Sequence, residues 1–166
     1  MKSNGSVYVC VVIVAMAGYF TYQWWFNPSR AIKQRLGEVA AALSVPAPDS
    51  DVARLERLAR LRNYLADDVR IDVGGAPPIQ SRDAVLAVVG GFRPAPGGVD
   101  VQFVDAQVNV DTADHGRAYL TVAITTPDRQ TGERTIDSRE ATVILSLRGG
   151  EWLITSAESK EPQTRP

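Results

Sequence analysis

Apolar residues change their spacing in the middle of this chain, and the change marks the junction of two kinds of structure. Leu55, Leu58, Leu61 and Leu65 recur at the interval of a helical face, whereas Val69, Ile71 and Val73 alternate at an interval of two. The stretch from Tyr64 to Asp83 therefore predicts the end of a helix, a short strand, a turn and a new helix. Gly74, Gly75, Pro77 and Pro78 stop the strand, and Ser81 is placed to cap a helix carrying Ala84, Val85, Val88 and Val89. Upstream, Ile32, Leu36, Val39 and Leu43 form one helical stripe from Ser29 to Ser44, broken by Val45-Pro46-Ala47-Pro48. A second helix starts near Asp49 or Ser50. The third covers Arg82 to Phe92 and ends at Gly90-Gly91 with Pro94 and Pro96 beyond.

Downstream the period stays at two. Val99, Val101 and Phe103 share one parity and Val104, Ala106, Val108 and Val110 the other, which predicts a bulge near Asp105 in a long, bent strand. Ala118, Leu120, Val122 and Ile124 form the next alternating face, Ala141, Val143, Leu145 and Leu147 another, and Trp152 and Ile154 open a last strand. The fold class is α+β, with three helices on one face of a curved, mainly antiparallel sheet whose other face is solvated or available for pairing. Residues 28–160 form this domain and 161–166 a polar tail.

Residues 1–27 are of another kind. No charge interrupts Val7 to Phe26, a length that rises about 30 Å as a helix, the depth of a bilayer's hydrocarbon core. Trp24, Trp25 and Phe26 stand at its far end, where aromatic rings favour the headgroup level, and Asn27-Pro28 can cap and open the next helix. Ala15, Ala17 and Gly18 give the span a smooth patch for packing against another helix. The rival reading is a cleaved signal peptide, with Lys2 as its basic region and Ala15-Met16-Ala17 as its cleavage site. The aromatic belt and the full apolar length favour a retained single-pass anchor. A short amino terminus before such a span places the following domain in a bacterial periplasm, on the inner membrane.

Composition adds exclusions. A net charge of -1 and no basic stripe argue against nucleic-acid binding. Cys10, the one cysteine, lies in the apolar segment, so the chain makes no internal disulfide. His115 is the one histidine and falls in a predicted turn, which leaves no ligand set for a zinc site and no catalytic triad. No metal or other cofactor is expected. Asp111 and Asp114 lack the ligand density of a calcium loop. The arginines Arg54, Arg57, Arg60 and Arg62 fit the solvated face of a packed helix.

Tyr64, Ala66, Asp67, Asp68, Pro77, Pro78, Ile79, Arg82 and Asp83 together resemble a pattern of the nuclear transport factor 2-like superfamily, which includes SnoaL-like and ketosteroid-isomerase-like cones. The resemblance extends in element order over residues 30 to 160 and implies a cone-shaped domain. It also implies one catalytic candidate. In ketosteroid isomerases a strand-end aspartate before the proline pair is the general base, and counting back from Pro77-Pro78 gives Asp72, although counting forward from Ala66-Asp67-Asp68 gives Val73. The supporting groups are missing: the first helix has no tyrosine, and Val143 stands where the acid that steadies the enolate oxygen would be. Tyr64, Asp72, Tyr119 and Arg139 remain candidates to line a ligand pocket. Tyr119, Thr121, Thr142 and Ile144 are candidates for a contact through the outward face of the sheet, including a homodimer.

The expectation is a non-enzymatic, membrane-anchored accessory subunit that docks onto other membrane proteins of a larger respiratory, photosynthetic or secretion complex. The alternatives are a binding module for a small apolar ligand, and an isomerase or dehydratase using Asp72.

Overall fold

The computed structural model describes residues 12–16, 27–94, 97–128 and 131–159. Residues 12–16 are helical and exposed; the rest of the proposed anchor, including Cys10, Ala17, Gly18, Trp24, Trp25 and Phe26, lies outside the described residues, as does the polar tail. Among the described residues no helix is long and apolar enough to cross a membrane.

From Asn27 onward the elements follow the apolar pattern. Helix α1 (Pro28–Leu43) opens with Pro28 in its first turn and Asn27 as its cap, the side chain accepting from the Ser29 N–H at 3.1 Å. It buries Ile32, Leu36 and Val39 of the predicted stripe, while Leu43 is half-buried. Helix α2 (Asp51–Arg62) is capped by Ser50. Its inner face is Arg57 and Leu61, whereas Leu55 points to solvent at 68% exposure. The run of leucines is thus not one buried stripe, and Arg57 is not on a solvated face. It is buried because Asp49, in the linker before the helix, meets its guanidinium at 2.8 Å.

Strand β1 (Leu65–Asp72) begins earlier than the period suggests, so Leu65 belongs to the strand and Val73 lies beyond it. After the Gly74–Pro78 turn, a two-residue strand β2 (Ile79–Gln80) pairs antiparallel with β1, and Ser81 caps α3 (Arg82–Gly91). Strands β3 (Asp100–Thr112), β4 (His115–Pro127), β5 (Arg134–Arg148) and β6 (Glu151–Ser159) complete a sheet of order β2-β1-β6-β5-β4-β3. All neighbours are antiparallel except β1 and β6.

Register shifts interrupt the ladders of this sheet. Asp105 has φ 53°, and the pairing of β3 with β4 shifts register between Val104 and Gln107, so Phe103 before the bulge and Ala106 and Val108 after it share the inner face. Further shifts lie between Val110 and Thr112 on the β3–β4 pair, between Ile144 and Leu145 on the β5–β6 pair and between Leu65 and Arg70 on the β1–β6 pair. The end of α1 is stitched to the start of β3: Val45 and Val99 exchange both backbone hydrogen bonds, and the Ser44 hydroxyl accepts from the Val101 N–H at 2.9 Å. One core joins α1, α2, α3 and the concave face of the sheet, with Ile32, Leu36, Leu61, Val69 and Leu145 enclosed.

Candidate functional site

Between the helices and the concave face of the sheet lies an open cavity of about 390 Å³. Val39 and Leu43 of α1, Leu61 of α2, and Val85 and Val89 of α3 form one wall. Phe103, Leu120, Val122, Ile124, Ala141 and Val143 form the opposite one, and Ile71, Val73, Ile154 and Ala157 close the side. These side chains offer a ligand no hydrogen bond, and the volume lies within the range of small-molecule sites. The polar residues at the cavity are Asp72, Asp137, Arg139, Glu158 and Ser159. Arg139 Nε donates to Asp137 Oδ2 at 3.3 Å. Both come from the inner row of β5, two and four residues before Ala141.

The four pocket candidates separate. Arg139 and Asp72 reach the cavity. Tyr64 does not line it: its ring packs against the core beneath the Arg35 guanidinium, 5.0 Å from the ring centroid. Tyr119 belongs to the opposite face, because Ala118 and Leu120 take the inner parity. There it lines a shallow depression with Thr121, Thr142, Asp105, Gln107 and Glu140. Ile144, on the same outward parity, pairs with Arg117 and is half-buried.

Asp72 is at the rim rather than in the depth. Its neighbour Ile71 takes the inner parity, and register places Asp72 beside Glu158 on β6, which itself pairs with Thr142. The Asp72 Oδ1 accepts the Gly74 N–H at 3.1 Å, so the carboxylate also shapes the turn that ends β1. Val143 is buried where an acid would be needed, and α1 presents no tyrosine. Asp137 and Glu158 were not among the sequence candidates. Extending the Ala141–Val143–Leu145 parity backward through Arg139 reaches Asp137, which is the signal that could have found it.

The motif carrying the family likeness makes ties between elements. Ala66 is fully buried, Asp67 pairs with Arg82 at the start of α3, and Asp68 receives both terminal nitrogens of Arg148 at 2.8 and 3.2 Å. Arg148 thereby holds the Asp68 carboxyl below the usual carboxylate range. His115 sits at a hairpin turn with Nδ1 2.9 Å from Asp114 Oδ1, and among the described residues no cluster of His, Cys, Asp and Glu could hold a metal.

No family profile and no curated protein matches the sequence. Solved structures do match in shape. An NTF2-like protein with a cystatin-like fold from Novosphingobium aromaticivorans superposes with a TM-score of 0.65 at 13% identity, covering 88% of this chain and 90% of that one. The fold is the nuclear transport factor 2-like, or cystatin-like, one. The association domain of C. elegans CaMKII is also similar, with a TM-score of 0.59 and 14% identity over 81% of this chain and 99% of that one. So is a protein from Catenulispora acidiphila in complex with S-DNPA, with a TM-score of 0.62 and 16% identity over 78% and 90% of the two chains.

Proposed function

We propose that the cone is a non-enzymatic binding module for a small apolar molecule, carried on a chain whose amino-terminal apolar segment tethers it to a bacterial inner membrane. The observation that carries the reading is the open apolar cavity of about 390 Å³, a volume that a packed core would have filled with side chains. Taking about 30 Å³ for each water-sized group, it has room for roughly a dozen. The complex of the Catenulispora protein with S-DNPA supports the reading by analogy of fold. A binding role is favoured over an isomerase or dehydratase by the state of Asp72, whose carboxylate accepts from the Gly74 N–H, and by Val143 in place of an acid. The tether rests on the uncharged run from Val7 to Phe26 and its Trp24-Trp25-Phe26 end.

Native mass spectrometry of the full chain, extracted in mild detergent, tests this. A small-molecule adduct is expected on the wild type and not on Ala141→Phe, whose ring would occupy the cavity. An unliganded chain held at fixed stoichiometry with other membrane proteins would overturn the binding role.

That outcome would favour the second reading, an accessory subunit of a membrane complex. Its support is the outer face of the sheet, where Tyr119 is 43% and Ile136 65% exposed.

A further inference from the structure

Parity divides the polar residues of the cavity. Glu158 pairs with Thr142, whose row is the outer one, and Asp72 pairs with Glu158, so neither carboxylate belongs to the inner row. Ser159 does, because it pairs with Ala141, and so do Arg139 and Asp137 on β5. Counted outward from the core, that row of β5 reads Leu145, Val143, Ala141, Arg139, Asp137. A molecule whose apolar part lies against Val143 and Ala141 therefore reaches the guanidinium before it reaches the Asp137 carboxylate. Asp137 engages Arg139 through Nε at 3.3 Å, and among the described residues neither terminal nitrogen of Arg139 nor the Ser159 hydroxyl has a hydrogen-bond partner. Val122, across the β4–β5 ladder from Arg139, offers none. One end of an apolar cavity thus presents hydrogen-bond donors on two adjoining strands, one of them cationic.

We infer that the ligand is a small apolar carboxylate, its hydrocarbon part in the cavity and its head group on the terminal nitrogens of Arg139, with the Ser159 hydroxyl on the adjoining strand. The two terminal nitrogens of a guanidinium match the two oxygens of a carboxylate, and Asp137, by taking Nε, orients the group and leaves the end of its fork open. The hydrocarbon part supplies affinity through area removed from water, and Arg139 supplies choice between head groups. An ammonium head group would be opposed by the same guanidinium. The inference rests on the ligand-binding reading above.

Three probes of one skeleton separate the two claims: 4-butylbenzoate, 4-butylbenzyl alcohol and 4-butylbenzylamine, titrated onto the full chain in the same detergent, wild type beside variants so that partition into micelles cancels. Arg139→Gln should weaken the benzoate about five-fold, the upper end of what an exposed ion pair supplies, while the alcohol binds as before and the amine no more weakly. Asp137→Asn should act the other way, tightening the benzoate about two-fold by removing a like charge nearby. A merely structural role of the pair would instead make both variants weaken all three probes alike. The benzoate effects should shrink as salt is raised. Both side chains are exposed, and an unchanged thermal midpoint would show that the fold is kept. An alcohol that responds to Arg139→Gln as much as the benzoate does, or a benzoate indifferent to both variants, would overturn the inference and leave the cavity's role standing. Failure of all three probes to bind the wild type would overturn both.

Discussion

Guanidinium groups account for much of what the Tyr64–Asp83 stretch does. Arg35 lies over Tyr64, Arg82 pairs with Asp67, Arg148 grips Asp68, and Arg62 approaches Asp83 at 3.9 Å. The first ties the turn before β1 to α1, and the other three each join β1 or the start of α3 to another element, so residues that carry the likeness in sequence serve the architecture. The linker before α2 repeats the device, with Asp49 against Arg57, and Arg57 first among the causes that hold the Asp49 carboxyl below its usual range. Asp68 and Asp114 are lowered likewise, by Arg148 and His115 respectively. A carboxyl whose folded pKa is depressed stabilises the fold fully above its unfolded value near 3.9 and loses that contribution as pH falls through the folded value. Denaturant midpoints should therefore be flat above about pH 5 and drop on acidification below about pH 4. Asp49→Asn should flatten part of that acid limb; an unaltered limb would show that the Asp49–Arg57 contact does not couple to folding. Gly116 makes a separate prediction. A Cβ there would collide with Ile32 Cδ1, which is itself enclosed by the core, so Gly116→Ala should lower unfolding free energy by about 1–3 kcal/mol in urea titrations.

Among the elements, β3 decides the shape of the domain. Its bulge residue Asp105 adopts a left-handed backbone, which a short polar side chain tolerates and a β-branched one does not. Asp105→Val should destabilise by about 1–2 kcal/mol and Asp105→Gly by less than that, or not at all, as read from thermal unfolding. Equal losses would mean that the side chain rather than the backbone matters. The bulge was legible in the amino-acid pattern because the apolar parity changes between Phe103 and Val104, and a parity change in one strand has few physical explanations. Helices α1 and α3 were legible for the same reason, with one apolar face each and capping residues at the expected ends. The start of β1 was not, because Leu65 satisfies both the helical interval from Leu61 and the strand parity of Val69 and Ile71. Strand β2 is two residues long and leaves no periodic trace. The candidate site was legible in part: Arg139 follows from inner parity on β5, but whether Asp72 looks into the cone depends on how β1 ends, and the open volume depends on how the three helices pack on the concave face. Neither is a property of local sequence.

At the scale of the whole molecule the two faces of the sheet offer two kinds of contact. The concave face ends in the cavity. The outer face carries Tyr119, Thr121 and Thr142 around a shallow depression, with Val104 at 36% and Ile136 at 65% exposure and the half-buried Ile144 along the same rows. Scattered exposed apolar residues are ordinary on a protein surface, yet a flat sheet face bearing a tyrosine and β-branched residues among threonines has the mixed character of a non-obligate interface. If copies or partner subunits meet there, one charge placed in the contact should weaken it while the monomer still folds. Ile144→Arg and Ile136→Arg should each shift sedimentation of the full chain in mild detergent toward the smaller species, with thermal midpoint within a few degrees of wild type. The cavity supplies an internal control, because its walls lie on the other side of the sheet: these variants should keep the adduct that Ala141→Phe loses. Loss of the adduct together with association would mean that the two faces are coupled through β4 and β5, whereas unchanged sedimentation of both arginine variants would remove the outer face from consideration as a docking surface.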